Sequence, residues 1–340
     1  MPAADRAKPI QDNELTTLFA DFQPYEGVVL AVSGGPDSTA LMLLAQRWRA
    51  RQERGPRLMV ASVDHGLRAE SAAEVAQVAE LSARLGLPHA VLEWRAAKPR
   101  TGLQAAARAA RHALLHAFAR TQVADAIAFA HTCEDQAETV LMRLGRGSGL
   151  SGLRAMRPVL QVGDVSVLRP LLQVPKHRLV ATVEAAGFGY AQDPSNWDER
   201  FARPRLRRLA GDLAREGLDA AHLSLFARRV ARADEALEAM VRRACAEVSA
   251  GPWGPGAVVL DPARLFALPA EISLRLLILA LSQCASEGPV ELGKAEALHA
   301  ALCTAGAQGR VRRTLAGALV TLQAGGLKVT RAPARRIRSG

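Results

Sequence analysis

The stretch Val28-Val29-Leu30-Ala31-Val32-Ser33-Gly34-Gly35-Pro36-Asp37-Ser38 decides how the chain is read. Its first five residues form a short, β-branched apolar run of the kind that suits a strand. The helix-period stretch Ser38–Trp48 follows. Between the two, Gly34 and Gly35 let the backbone approach an anion closely. The helix N-terminus behind them offers unpaired N–H groups and the positive end of its dipole. Ser33 and Ser38 add hydroxyl donors, and Asp37 is placed to hold a metal that bridges phosphates. The same residue types also serve as ordinary turn and cap residues, so the reading depends on what surrounds them.

Outward from this loop, short apolar runs at Leu58–Val63, His89–Leu92 and Ala126–Ala130 alternate with helix-period stretches at Glu70–Leu85, Leu103–Arg120 and Asp135–Leu144. That alternation predicts βαβ units and an α/β fold around a parallel sheet. Right-handed crossovers put the loops after the strands on one edge, where open α/β sheets bind ligands. Residues 145–158 carry four Gly and two Ser and read as a loop. A strand near Val165–Arg169, a helix from Pro175 to Ala186 and a turn at Asp193-Pro194-Ser195-Asn196 follow. Beyond about residue 215 helical stretches dominate (Ala221–Val248, Pro269–Ala285, Lys294–Thr304). Arg310–Thr321 and Gly326–Thr330 read as a hairpin. We therefore expect a catalytic domain over 1–215 and a smaller, mainly helical, basic domain over 216–340 that ends in a hairpin and tail.

Composition narrows the function classes. With 340 residues, 49% hydrophobic and 23% charged, the chain is ordinary globular material of two-domain size. No apolar stretch approaches the ~20 residues of a bilayer span, and even Ile272–Leu281 is interrupted by Arg275. Asp5, Arg6, Lys8, Asp12 and Glu14 leave no apolar segment for a secretory leader. The expectation is a soluble, cytoplasmic protein that does not contact a membrane. Cys133, Cys245, Cys284 and Cys303 form no CxxC pair, which argues against a thiolate iron–sulfur site, a zinc ribbon or a redox pair. His131 and Cys133 at HxC spacing are a weak zinc signal. The formal charge is +11, from 44 basic and 33 acidic residues. Residues 297–340 hold eight Lys or Arg and no acid, and residues 200–215 hold six Arg. Such one-sided stretches suit a polyanion, because each neutralised phosphate releases counterions; a solvated face or basic tail is the competing reading.

The loop lacks the lysine of a GxxxxGKS/T motif and the spacing of GxGxxG. Ser33–Ser38 is similar instead to the PP-loop of the ATP pyrophosphatases, which cleave ATP between its α- and β-phosphates. Further motifs follow in order: Asp64-His65-Gly66-Leu67-Arg68, Gln104-Ala-Ala-Ala-Arg108-Ala-Ala-Arg111-His112 and His131-Thr-Cys-Glu134-Asp135-Gln136-Ala-Glu138-Thr139. Then come Arg146-Gly-Ser-Gly-Leu-Ser-Gly-Leu153-Arg-Ala-Met156, Arg169-Pro170-Leu171-Leu172 and the turn at Asp193. In this order, over about residues 27–210, the chain resembles the tRNA(Ile)-lysidine synthases. The resemblance implies a PP-loop α/β domain that uses ATP and Mg2+ to join L-lysine to the wobble cytidine of tRNA(Ile) with a CAU anticodon.

By motif position, it implies nucleotide binding by Ser33, Gly34, Gly35, Pro36, Asp37, Ser38 and His65. It implies catalysis by Asp37, Asp135, Arg111 and Arg207, with Asp37 and Asp135 holding the metal. It implies substrate or tRNA contact by Arg108, Glu138, Arg203 and Arg205. The oligomeric state is open, a homodimer being one option. Two departures stand out. Glu134-Asp135 replaces the usual pair of aspartates and keeps the charge. Arg203-Pro204 replaces Arg-Asn and removes an amide and a backbone donor. The runner-up reading is another PP-loop tRNA-modifying enzyme such as a tRNA thiolase, for which paired cysteines are missing. A non-enzymatic tRNA-binding protein is a third.

Overall fold

The computed structural model describes residues 8–66, 70–99, 101–191, 202–251, 253–254, 256–324 and 326–333. Contacts divide the chain into two compact units, one holding residues up to 147 with 152–228, the other 148–151 with 229 onward.

The first unit begins with α1 (Asp12–Leu18) and a 3-10 turn at Ala20–Phe22, then continues through β1 (Gly27–Ala31), α2 (Pro36–Arg49), β2 (Arg57–Asp64), α3 (Glu70–Arg84) and β3 (His89–Glu93). It goes on with α4 (Leu103–Thr121), β4 (Ala126–Ala128), α5 (Cys133–Leu144), the short α6 (Leu150–Leu153), whose first two residues belong to the second unit, β5 (Val159–Val162) and β6 (Val165–Leu168). Three helices follow: α7 (Lys176–Ala185), α8 (Ala202–Arg215) and α9 (Ala220–Val248), whose first residues belong to this unit. The six strands form one sheet in the order β3-β2-β1-β4-β6-β5. All neighbours are parallel except β5 and β6, which form an antiparallel hairpin at the edge.

Alternation along β1 explains its continuous apolar run. Val28, Leu30 and Val32 join a core with Leu41, Leu44 and Trp48 of α2, Val78 and Leu81 of α3, and Leu179 and Val183 of α7. Val29 turns the other way, onto Met59, Ile127 and the α4 residues Leu115 and Ala119. Helices cover both faces, so Gly27 to Leu30 are all buried and only Ala31, at the carboxyl end, is half-buried. The N-terminal segment, not anticipated from sequence, closes one end of the first core. Phe19 and Phe22 pack edge-on to each other at 5.0 Å between ring centroids, and each lies 5.7 Å from Trp48. β1 and β4 are neighbours while the chain leaves them toward opposite edges of the sheet, which opens a crevice beyond their carboxyl ends.

The arginine-rich segment 202–215 proves to be a helix. Its apolar residues Leu206, Ala210, Leu213 and Ala214 recur at helical spacing, and arginine is itself a good helix former.

In the second unit, the remainder of α9 is followed by β7 (Ala257–Leu260), α10 (Pro262–Ala267), α11 (Ala270–Cys284), α12 (Leu292–Ala305), β8 (Val311–Leu315), β9 (Ala318–Gln323) and β10 (Gly326–Arg331). Helix predominates, as the sequence suggested. The stretch anticipated as a hairpin is, however, three strands, β8, β9 and β10, because the chain turns at Ala316-Gly317 inside Arg310–Thr321; with β7 they form a four-stranded antiparallel sheet in the order β7-β10-β9-β8. Strand β7 supplies Val258 and Leu260 to a core shared with Leu276, Leu277, Leu281, Leu302, Val320 and Val329. The division between units falls at 228–229 rather than near 215. The reason is that Leu223 and Ala227 pack on Ala137 and Val140 of α5 and tie the start of α9 to the first unit. Among the described residues no helix is long and apolar enough to cross a membrane.

Candidate active site

The loop between β1 and α2 is held by its own side chains. Gly34 has φ +87°, a left-handed conformation that only glycine adopts without strain, and its carbonyl accepts from the Ala191 N–H at 2.9 Å. Gly35 is the extended N-cap of α2, and Pro36 occupies the first helical position, where an N–H has no intrahelical partner. The Ser38 hydroxyl donates to the Gly35 carbonyl at 3.0 Å and accepts from the Ser33 N–H at 3.2 Å. Ser33 Oγ lies 3.3 Å from Ser38 Oγ. The two serines therefore shape the loop as well as line it.

A cleft of about 1970 Å³ opens over this loop, at the carboxyl edge of the sheet. Ser33, Gly35, Pro36, Asp37 and Ser38 line it, with His65 from the end of β2. Arg111 reaches it from α4, Asp135 and Glu138 from α5, and Arg207 from α8. Gly34, Arg108, Arg203 and Arg205 do not line it. Leu67, Arg68 and the Asp193–Asn196 turn lie outside the described residues.

Several polar atoms in this wall are buried without a hydrogen-bond partner among the described residues: Asp37 Oδ1, His65 Nδ1, Arg111 Nε, His131 Nδ1 and Glu138 Oε2. Buried polar atoms are normally paired, so a wall of such atoms is a surface that a polar ligand completes. Burial raises the pKa of Asp37, opposed by the Lys176 ammonium 2.8 Å from its Oδ2. The negative charges of Asp135 and Glu134 also act on Asp37 and raise it further. Burial lowers the pKa of His65, and the Arg111 charge adds to the effect. His131 is pushed down to about 3 and His112 to about 4, in both cases chiefly by burial, so both rings are neutral near pH 7. The two rings flank Phe129, with centroids 5.1 and 5.8 Å away, and the Arg111 guanidinium lies 5.7 Å from the same ring.

Helix α5 places its carboxylates by two different means. Asp135 is the third residue of the helix; its Oδ2 accepts from the Thr132 N–H at 2.9 Å and from the Thr132 hydroxyl at 3.4 Å, closing a capping box. Glu138, one turn on, is 7% exposed and takes Arg207 Nε at 2.6 Å and Arg203 Nε at 3.5 Å. Burial raises its pKa and the Arg207 hydrogen bond lowers it. Thus Arg203 and Arg207, four residues apart on α8, converge on one buried carboxylate. Pro204 sits in the first turn of α8, where a backbone N–H would have no helical partner, so the departure from Arg-Asn costs the helix no internal hydrogen bond. His131 and Cys133 do not converge: His131 lines the cleft, and Cys133 Sγ donates to the Ala220 carbonyl at 3.2 Å.

Lys176 escaped the sequence reading, and Glu134 was noted there only for keeping the charge of its motif. Lys176 reaches Asp37 from the start of α7, and Glu134 accepts the Lys176 main-chain N–H on both carboxylate oxygens at 3.0 Å. The only local clue was the position of Lys176 shortly after Arg169-Pro170-Leu171-Leu172.

Comparison with known proteins agrees with this geometry. The PP-loop domain family matches residues 7–212. A tRNA(Ile)-lysidine synthase of Bradyrhizobium diazoefficiens is 47% identical, over 98% of this chain and 97% of the relative. Relatives of the same name from Rhodopseudomonas palustris and a Methylobacterium species are 51% and 50% identical, over 96% and 98% of this chain and the same shares of their own. Among solved structures, the U34-tRNA thiolase NcsA from Methanococcus maripaludis, with its 4Fe-4S cluster, aligns with a TM-score of 0.55 at 16% identity. The alignment covers 64% of this chain and 77% of that one, a likeness of fold. With a PP-loop domain over more than half its length and relatives matched nearly end to end, the chain belongs to the tRNA(Ile)-lysidine synthase family.

Proposed function

We propose that the chain is an ATP-dependent carbon–nitrogen ligase that joins L-lysine to C2 of the wobble cytidine in tRNA(Ile) with a CAU anticodon, releasing AMP and pyrophosphate. The observation that carries this reading is the cleft at the sheet's switch point. Its volume exceeds the ~300–1,000 Å³ of a single small-molecule site, which suits a nucleotide, an extruded base and an amino acid together. The family relationship supplies the reaction type.

In the first step the cytosine O2 attacks the α-phosphorus of ATP, and the bond to pyrophosphate breaks. The N–H groups of Gly34 and Gly35 and those that follow Pro36 in the first turn of α2 receive the phosphates. Arg111 stands where charge develops on the transferred adenylyl group. In the second step the lysine amine attacks C2 and AMP leaves with the former O2. A free lysine amine has a pKa near ~10.4 and arrives protonated, so a carboxylate must orient the ammonium and a base must take its proton. Asp135 and Glu138 are the carboxylates in place. Arg207 and Arg203 oppose the burial that raises the Glu138 pKa, while Arg108 and the exposed Arg205 are assigned to RNA phosphates.

Mg2+, held largely by phosphate and water, needs only one or two protein carboxylates. The unpartnered Oδ1 of Asp37, with Asp135 nearby, fits that need; such an ion neutralises phosphate charge. Work on tRNA with cellular ATP supports a cytoplasmic location.

The test is incorporation of labelled lysine into a CAU-bearing isoleucine tRNA transcript with Mg-ATP, and a methionine tRNA transcript as control. Label in the first alone, with AMP formed, is the expected result. No label despite ATP binding would return the thiolase reading, whose readout is sulfur incorporation by anaerobically purified protein.

A further inference from the structure

Lys176 is one of five lysines among 44 basic residues, and it lines the cleft as the one lysine among the described lining residues. Two contacts fix it. Its Nζ lies 2.8 Å from Asp37 Oδ2, and its main-chain N–H, at the first position of α7, is gripped by both oxygens of Glu134 at 3.0 Å. The helix itself is anchored, since Leu179 and Val183 share a core with Leu41 and Leu44 of α2. A lysine 139 residues away in sequence is thereby brought to the 33–38 loop.

The loop itself offers a triphosphate main-chain amides and two hydroxyls, which already bond within the loop. It has no side-chain cation. Pyrophosphate leaving the α-phosphorus gains charge, and a leaving group of that kind is stabilised by a fixed cation. The Lys176–Asp37 pair is partly exposed, at 44% and 23%, so it is a weak pair. An ammonium is a compact, rotatable donor that can exchange a carboxylate for a more highly charged phosphate.

We propose that Lys176 is the side-chain cation of the pyrophosphate subsite, its ammonium exchanging Asp37 for a β- or γ-phosphate oxygen of ATP while Glu134 positions it through its main-chain N–H. This rests on the ATP use proposed above. Lys176 is thus a binding residue and Glu134 a positioning residue.

Calorimetric titration of the full chain with Mg-ATP, with inorganic pyrophosphate and with AMP tests it. Lys176→Met is expected to weaken ATP and pyrophosphate about 10- to 100-fold, the worth of a charge-assisted hydrogen bond. AMP, which lacks both outer phosphates, should bind within about twofold of the parent. Lys176→Arg should recover most of the loss, and Glu134→Gln should show a smaller loss with the same split between ATP and AMP. To separate direct contact from neutralisation of Asp37, pyrophosphate is titrated without Mg2+ in an Asp37→Asn background. There Lys176→Met still costs about tenfold if the ammonium touches phosphate. An unchanged affinity in that background, or an equal loss for ATP and AMP, overturns the proposal. Were Lys176→Met not to fold, Lys176→Gln carries the same comparisons. A parent chain that binds ATP and pyrophosphate but makes no lysidine removes the functional reading and leaves this test standing. A parent that binds neither removes both.

Discussion

Individual residues in the cleft are set apart by their surroundings rather than by their type. Asp37 and Glu138 are both carboxylates raised by burial and held by cations, yet one faces the loop and the other a pair of arginines. His112 and His131 are lowered to about 4 and about 3. An unfolded histidine binds a proton near pH 6.5 while these two do not, so their contribution to stability is full above that value. It is lost as the pH falls from 6.5 toward 4. The raised acids Asp37 and Glu138 act in the opposite sense, gaining stability as the pH falls. Comparing melting curves of the parent and of His112→Gln/His131→Gln between pH 4.5 and 7.5 isolates the histidines. The acid-side loss should be smaller in the variant, and an identical slope would contradict neutral burial. The loop residues Ser33–Ser38 were legible because a positive-φ glycine, a first-turn proline and a hydroxyl at the helix start are local requirements. The partner of Asp37 was not, because nothing local to Asp37 or to Lys176 encodes their meeting.

Among the elements, α8 shows how a helix sorts its side chains. Arg203 and Arg207 share a face and meet Glu138, whereas Arg205, two residues from each, lies off that face by helical spacing. Arg207→Gln is expected to lower turnover about 100-fold at saturating substrates, as removal of one fixed donor from a reacting site commonly does. Arg205→Gln should leave turnover within about twofold and reduce the slope of log affinity for tRNA against log salt by about 1 at most. Pro204→Asn should keep activity within about twofold, because the proline occupies the first turn. Steady-state kinetics on the three variants checks this ordering, and a large loss in Arg205→Gln would reverse the assignment. Helix α5 was more legible, since Thr132 and Asp135 stand three apart as a capping box. The helical nature of α8 was hidden in a sequence dominated by arginines, whose apolar stripe shows only once its cleft face is known.

At the scale of the whole molecule, positive charge is unevenly spread. Arg310, Arg312 and Arg313 are exposed on and beside β8, the edge strand of the second sheet, in a region without acidic residues. Replacing all three by Gln should weaken tRNA binding and flatten its salt dependence by up to about 3 in slope, with ATP binding unchanged. Filter binding across a salt series measures both, and an unaltered slope would remove this strand from the RNA surface. By itself the sequence determined the α/β alternation, the glycine turn between β1 and α2, the helical weight of the second half and the family motifs. All of these depend on contiguous residues and on which face of a strand or helix is apolar. Only the tertiary structure decided that Lys176 answers Asp37 across 139 residues, that Glu138 and Arg207 pair across 69, that the last hairpin belongs to a four-stranded sheet and that α9 begins in the first unit. Such pairings follow from strand order and helix docking, and short-range periodicity carries no record of which distant segment lies opposite.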